Sequence, residues 1–175
     1  MNNTINTIEM NSNPGNDVGT TELANTNVFI REVTARYIGA RRASFTICNA
    51  TDVKRFASGV MKDNSREHFI ALFLDTAHRV ISFSVVSIGT ANATLVHPRE
   101  VFQHAMLAGA HALVVAHNHP SGRPEPSEQD HRVTQMLVAA GEIVGIHVLD
   151  HVVFTEDDSV SFKDKGWLKQ SSSPF

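Results

Sequence analysis

Two histidines and an aspartate are the residues whose types and spacing best suit them to chemistry. His117 and His119 are separated by one residue, and Asp130 follows a proline-rich loop. Residues separated by one in an extended segment point to the same side, so both imidazoles can reach one ion. Two imidazoles and one carboxylate that leave a fourth position open are typical of a catalytic zinc site, whereas structural sites use four protein ligands.

Each of these residues also has a simpler interpretation. Ser127 and Asp130 form the Ser-x-x-Asp pattern of a capping box, which would satisfy free amides at the start of a helix without any metal. A histidine beside a strand end is commonly a hydrogen-bonded core or surface residue, and that interpretation is open for His117 alone. The combination favours a metal site, because all three candidates fall at one strand-to-helix crossing where α/β sheets commonly bind ligands.

The elements around these residues follow from local patterns. Residues 112–116 form a short apolar run, which predicts a central strand that leads to His117. Residues 118–126 are rich in proline, serine and glycine, so they predict a turning loop. A helix is predicted from Ser127 to about Ala140, ending at Gly141.

The rest of the sequence predicts a sheet with helices packed on it. Residues 67–75 and 79–89 are β-rich runs joined by a connection of three residues, which indicates an antiparallel hairpin. Apolar periodicity and capping residues predict the helices. The further predictions are a strand over residues 28–37, a helix starting near Asn49 or Thr51, a helix starting at His97 and Pro98, a strand over residues 146–154 and a closing element over residues 162–168.

The length of the chain predicts one domain. A chain of 175 residues with 42% hydrophobic residues can bury one core of ordinary size. Residues 1–27 are rich in asparagine and threonine, so we expect a disordered polar tail there. The domain is predicted over residues 28–170, and residues 171–175 are expected to form a second tail.

Composition limits the partners and the compartment. Cys48 is the single cysteine, which excludes an intramolecular disulfide and leaves any metal to histidine and carboxylate ligands. The sequence contains no run of about 18 apolar residues and no basic residue before position 28, so we expect no membrane segment and a cytoplasmic protein. A net charge of −3 disfavours binding nucleic acid by bulk electrostatics. Arg36, Arg41 and Arg42 form the densest basic stretch, which we interpret as a solvated strand end.

The motifs resemble a known family. His117-x-His119, seven residues, Ser127, two residues and Asp130 reproduce the JAMM signature HxHx7SxxD of MPN-fold metalloproteases and deubiquitinating enzymes. The resemblance is closest to the bacterial RadC family and covers roughly residues 28 to 168. It rests on the stretches EHFIALFLD, TLVHPREVF, LVVAHNHPSGRPEPSEQD, HVLDHVVF and SFKDKGWL.

The resemblance implies a fold and a set of residue roles. The fold class would be α/β, a mixed curved sheet flanked by helices with cytidine-deaminase-like architecture, holding zinc on His117, His119 and Asp130. Ser127 would steady a tetrahedral oxyanion. Enzymes of the JAMM type also need an upstream glutamate for proton transfer, and Glu67 is our candidate. Two other carboxylates are alternative bases, and three other histidines are predicted to be structural. These are Asp75, Glu100, His97, His147 and His151.

Three functions follow as expectations. The first is a zinc-dependent metallohydrolase that cleaves peptide or isopeptide bonds. The second is a non-catalytic protein associated with DNA repair, and the third is a scaffold, in which zinc would be structural. RadC proteins carry a helix-hairpin-helix region before this domain, whereas residues 1–27 here are polar, which weakens the expectation of DNA binding. An exposed sheet edge could pair with a second copy to form a homodimer.

Overall fold

The computed structural model describes residues 45–61, 63–89 and 96–169. The strand expected over residues 28–37, both expected tails and the basic stretch at Arg36, Arg41 and Arg42 lie outside these ranges. The described ranges contain three helices and five strands. The helices are α1 Ala50–Val60, α2 Pro98–Leu107 and α3 Glu128–Val144, and the strands are β1 Glu67–Leu74, β2 Val80–Gly89, β3 Ala112–Asn118, β4 His147–Phe154 and β5 Ser159–Ser161.

The five strands form one mixed sheet in the order β2-β1-β3-β4-β5. β3 and β4 run parallel, and the other neighbouring pairs run antiparallel. β1 and β2 form the predicted hairpin, while α3 provides the crossover that a parallel pair requires. The expected α/β fold with a mixed sheet and flanking helices is confirmed.

The two central strands are buried on both faces of the sheet. Every residue of β1 after Glu67 is buried, as is every residue of β3. One face, which includes Phe69 and Val115, packs against α2 and α3. The other face, which includes Ile70 and Val114, packs against α1. Because side chains alternate along a strand, His117 lies on the same face as Val115 and points toward α3.

Two predicted boundaries were wrong. β3 continues past residue 116 and includes both His117 and Asn118. α3 does not end at Gly141 but continues to Val144, and Gly145 then takes the left-handed conformation of a C-cap with φ of 72°. Gly141 has a packing role instead, since a Cβ there would lie 2.5 Å from the backbone oxygen of Ile146, just before β4.

β2 forms one edge of the sheet in the described part of the chain. Its outward side chains Ile81, Phe83 and Ile88 are exposed. The homodimer expected from such an edge stays a prediction. Within the described residues, no helix combines the length and the apolar character needed to cross a membrane.

Candidate metal centre

Four side chains meet where β3 ends and where β1 and α3 begin. One ligand atom from each of Glu67, His117, His119 and Asp130 lies within 4.8 Å of the others. His117 belongs to β3, His119 follows it, Asp130 lies in the first turn of α3 and Glu67 opens β1. The structure therefore brings together the three predicted metal ligands and the predicted base.

Antiparallel pairing of β1 with β3 explains how Glu67 reaches the two histidines. Phe69 lies opposite His117 in this ladder. Glu67 lies two residues before Phe69, and His119 lies two residues after His117. Because side chains two residues apart point to the same face, Glu67 and His119 approach each other there. Spacing along the chain does not predict this approach, since His119 follows Glu67 by 52 positions.

The distances between donor atoms fit a small tetrahedral metal ion. His117 Nε2 lies 3.0 Å from His119 Nε2 and 3.3 Å from Asp130 Oδ1. The distance from His119 Nε2 to Asp130 Oδ2 is 3.9 Å. Zinc bonds of about 2.0–2.1 Å in tetrahedral geometry separate ligand atoms by about 3.3–3.4 Å. Small adjustments of these three side chains would therefore suffice to hold zinc.

Asp130 acts as a helix cap and also faces the two histidines. Its Oδ2 accepts hydrogen bonds from the backbone N–H and the hydroxyl of Ser127, both at 2.6 Å. The backbone N–H of Asp130 in turn donates to Ser127 Oγ at 3.2 Å, which completes the capping box. Oδ1 remains directed at His117. The capping interpretation of Asp130 is confirmed and is compatible with metal binding through Oδ1, which stays a prediction. The oxyanion role of Ser127 also stays a prediction, and its hydroxyl here donates to Asp130.

His119 directs Nε2 at the centre. Its Nδ1 lies 2.7 Å from the carbonyl oxygen of Arg123. A carbonyl can only accept, so Nδ1 carries the hydrogen and Nε2 of the neutral ring carries the lone pair. The side chain of His119 is 17% exposed whereas that of His117 is fully buried. His119 therefore borders the surface from which a substrate would approach.

Burial shifts the pKa values at the centre in directions that suit metal binding. Desolvation lowers the pKa of His117 to about 4, with Asp130 opposing that shift and His119 adding to it. His117 is therefore neutral at neutral pH and can offer a lone pair. Glu67 is half-buried, and desolvation raises its pKa, with His119 opposing and Asp130 adding to the shift. A raised pKa suits a general base.

Asn118 contacts the strand that carries Glu67, a role that the sequence did not predict. Its side-chain oxygen accepts from the backbone N–H of His68 at 2.8 Å, and its side-chain nitrogen donates to the carbonyl of Arg66 at 2.9 Å. These two backbone groups belong to the residues on either side of Glu67. Asn118 therefore fixes the backbone from which Glu67 extends.

His151 and Thr134 lie behind His117. His151 is fully buried on β4, and its Nε2 lies 2.8 Å from His117 Nδ1. Thr134 Oγ1 lies 2.6 Å from the other ring nitrogen of His151. Among the described residues, the group that could hold a metal does not include His151, and its structural role stays a prediction. Its contact with a ligand depends on parallel pairing of β3 and β4, which no local pattern reveals.

The alternative bases and the other two histidines lie elsewhere in the fold. Asp75 follows the far end of β1, where it accepts from the side chain of Arg79 at 2.7 Å. Among the described residues, the group that could hold a metal includes neither Asp75 nor Glu100. It also excludes His97, which precedes α2, and His147, which opens β4. Of the three candidate bases, Glu67 is the one that lies beside the three predicted ligands.

Comparison with known proteins identifies the family. Residues 47–167 match the family described as RadC-like JAB domain. The chain belongs to this family. It is 43% identical over 123 residues to a UPF0758 protein of Methanosarcina acetivorans, an alignment that covers 70% of this chain and 54% of the relative. It is 45% identical over 140 residues to a UPF0758 protein of Chromohalobacter salexigens, covering 78% and 62%.

The RadC-like JAB domain contains the complete centre. Its matched range runs from residue 47 to residue 167 and so includes Glu67, His117, His119, Ser127 and Asp130. A UPF0758 protein of Vibrio campbellii is 41% identical over 140 residues, covering 79% of this chain and 62% of the relative. The chain thus spans roughly half to two thirds of the length of these relatives, and the match concerns the domain that carries the cluster.

Proposed function

We propose that this RadC-like JAB domain is a zinc-dependent hydrolase of amide bonds in peptides or in isopeptide-linked proteins. The observation that carries the proposal is the convergence of Glu67, His117, His119 and Asp130 within 4.8 Å. Three of these residues provide the ligand set of a catalytic zinc site, and the fourth is a carboxylate suited to proton transfer. JAB domains are often hydrolytic and often bind zinc, which agrees with this assignment.

His117, His119 and Asp130 would hold the metal. When bound, zinc is a Lewis acid that lowers the pKa of a coordinated water to about 7. Burial of His117 and the capping hydrogen bonds on Asp130 preorganise two of these ligands before the metal arrives. Preorganised ligands lose little conformational freedom on binding, so the fold itself contributes to metal affinity.

Glu67 would transfer the proton of the reaction. It would accept a proton from the attacking water at a carboxylate oxygen and deliver it to the nitrogen of the leaving amine. Its raised pKa brings it closer to neutral pH, where both acceptance and release of a proton are efficient. Ser127, which now orients Asp130, is proposed to help stabilise the tetrahedral oxyanion of the substrate.

A cavity beside His119 offers room for part of a substrate. It has a volume of about 410 Å³, and its lining includes Asn118, His119, Pro120 and Phe154. The exposed ring of Pro120 adjoins polar groups of the strand end and the acidic side chains of Glu156 and Asp157, a combination that suits a polar peptide segment. We propose a peptide or protein as the substrate on this basis.

Replacement of the base tests the proposed reaction. Zinc-loaded Glu67→Gln should keep its metal, and its hydrolysis of fluorogenic peptides and of isopeptide-linked substrates should fall by about 10²–10⁴-fold. The side-chain amide of glutamine cannot accept the proton from water and pass it to the leaving amine. Glu100→Gln is the matched control, since Glu100 lies outside the cluster. Hydrolysis by Glu67→Gln at the wild-type rate would contradict the role of Glu67. A zinc-loaded wild-type domain that cleaves neither class of substrate would contradict the proposal.

A further inference from the structure

A chain of hydrogen bonds leads from His117 to the backbone of α3. His117 Nδ1 lies 2.8 Å from His151 Nε2, and His151 Nδ1 lies 2.6 Å from Thr134 Oγ1. The hydroxyl of Thr134 donates to the carbonyl oxygen of Asp130 at 2.6 Å. The chain thus joins two of the three proposed metal ligands through residues that do not touch the metal position.

The last acceptor of the chain sets the direction of every hydrogen bond in it. A carbonyl oxygen has no hydrogen, so Thr134 gives its single hydroxyl hydrogen to Asp130 and must accept from His151 Nδ1. A neutral imidazole that donates from Nδ1 accepts at Nε2, so His151 accepts from His117 Nδ1. His117 then has its hydrogen on Nδ1 and a lone pair on Nε2, the nitrogen that faces His119 and Asp130.

The surroundings of His151 favour the neutral ring that this direction requires. Its ring stacks on Phe162 with centroids 4.7 Å apart and meets Phe69 edge-on at 5.5 Å. His151 is fully buried among these aromatic groups, where water cannot solvate a charged ring. A neutral ring keeps all hydrogen bonds in the same direction, because it has one donor and one acceptor.

We propose that Thr134 and His151 are positioning residues that hold His117 in the tautomer able to bind the metal. The inference rests on the proposed metal centre and assigns roles in it to two residues outside the ligand set. The reverse direction would place a hydrogen on His117 Nε2 and block coordination. His119 needs no such chain, because the Arg123 carbonyl sets its tautomer directly at 2.7 Å. Hydrogen-bond partners behind metal-ligating histidines commonly tune metal affinity in this way.

Metal affinity of Thr134 variants tests the inference without any substrate. Thr134→Val keeps the shape of the side chain and removes the hydroxyl, so the dissociation constant for zinc should rise about tenfold, within the usual range for such partners. Thr134→Ser keeps the hydroxyl and is the matched control, with an expected change of less than about twofold. Competition with a chelating indicator measures both, and the melting temperature of each metal-free variant reports its folding separately.

Replacement of His151 gives a second test. The side-chain amide of His151→Gln can accept from His117 and donate to Thr134, which keeps the direction of the chain. His151→Phe fills the space but provides neither group. We expect zinc affinity to fall about ten- to a hundredfold in His151→Phe and to recover most of that loss in His151→Gln. Equal losses in both would overturn the inference, because packing alone would then explain them.

The wild-type protein provides a direct readout should these variants fold poorly. Long-range ¹⁵N–¹H correlation spectra of the zinc-loaded protein should show the ring hydrogens of His117 and His151 on Nδ1. A hydrogen on Nε2 of His151, or a Thr134→Val variant with wild-type zinc affinity, would overturn the positioning role and leave the proposed hydrolase intact. A wild-type protein that binds no zinc would instead overturn the metal centre, and the inference with it.

Discussion

α1 and α3 both begin with a polar N-cap residue and an aspartate three residues later, but the two helix starts face different surroundings. In α1, Asn49 accepts from the backbone of Asp52 at 3.0 Å, and Asp52 Oδ2 accepts from the backbone of Cys48 at 3.0 Å. In α3, the N-cap Ser127 likewise accepts from the backbone of Asp130, but Asp130 Oδ2 accepts from the backbone of Ser127 itself, whereas Asp52 accepts from the residue before the N-cap. A carboxylate in the first turn is favourable at both helix starts, because the positive end of the helix dipole attracts it.

The second carboxylate oxygen distinguishes the two helix starts. Asp52 Oδ1 binds the guanidinium of Arg55 at 2.9 Å, and the Asp52 side chain is 16% exposed. Asp130 Oδ1 faces His117 Nε2 at 3.3 Å, and the Asp130 side chain is 5% exposed. A capping motif in a sequence therefore does not tell whether its carboxylate can also bind a metal. The groups around the second carboxylate oxygen distinguish the two cases.

The two aspartates give the largest expected contrast. Asp130→Ala removes one of three proposed ligands, so zinc affinity should fall by more than the roughly 10–100-fold that is typical of changes behind a ligand. Asp52→Ala should leave zinc affinity unchanged and lower the free energy of unfolding by about 1 kcal/mol, because it removes a first-turn carboxylate that the helix dipole favours. Titration with a chelating indicator and denaturant unfolding measure the two effects. Equal zinc affinities in the two variants would contradict the claim that Asp130 binds zinc and Asp52 does not.

Zinc should stabilise the protein only while Asp130, at the start of α3, is intact. Free zinc at about 100 times its dissociation constant should raise the free energy of unfolding by about 2.7 kcal/mol in wild type and in Asp52→Ala, provided that the unfolded chain does not bind zinc. Asp130→Ala should gain almost nothing at the same zinc concentration. Thermal unfolding with and without zinc checks this, and an equal gain in Asp130→Ala would place the stabilising metal elsewhere.

Glycines near the ends of these helices should respond in opposite directions to the same substitution. A Cβ on Gly141 in α3 would lie 2.5 Å from the backbone oxygen of Ile146, so Gly141→Ala should destabilise the fold by about 1–3 kcal/mol. Gly59 in α1 is exposed and has nothing within 4 Å of the added atom, so Gly59→Ala should stabilise by about 0.5–1 kcal/mol. Denaturant midpoints measure both, and a stable Gly141→Ala would show that Gly141 does not limit packing.

The capping side chains give the smallest expected contrast. Asn49→Ala and Ser127→Ala should each lower the free energy of unfolding by about 1 kcal/mol, because each removes an acceptor at a helix start. Ser127→Ala should also weaken zinc binding about tenfold, since the Ser127 hydroxyl orients Asp130. Zinc titration of both variants separates the effects. An unchanged zinc affinity in Ser127→Ala would show that the cap and the centre are independent.

The sequence predicted the parts of the centre that depend on local spacing. His117 and His119 share a face because they are two residues apart in an extended segment. Asp130 was identified from its spacing to His119, although a capping motif alone would also explain it. The β1–β2 hairpin was predicted from a short connection between two β-rich runs. Each of these inferences uses residues that are close in the chain, where the local backbone conformation fixes how the side chains are placed relative to one another.

The parts that depend on pairing between distant strands could not be predicted from spacing. His151 reaches His117 because β3 and β4 are parallel neighbours, and Asn118 brackets Glu67 because β1 crosses beside β3. Gly141 showed the limit of a local rule, since glycine commonly ends a helix but here lies inside one to allow close packing. Glu67 itself was identified through family resemblance, and the sheet explains its position.

A crystal structure of the zinc-loaded protein, with anomalous scattering recorded at the zinc absorption edge, tests the central claim most directly. We expect one strong anomalous peak at bonding distance, about 2.0–2.2 Å, from His117 Nε2, His119 Nε2 and an oxygen of Asp130, with Glu67 beside the peak and not bonded to it. A peak at another group of residues, or no peak in crystals grown with zinc, would contradict the metal centre described here.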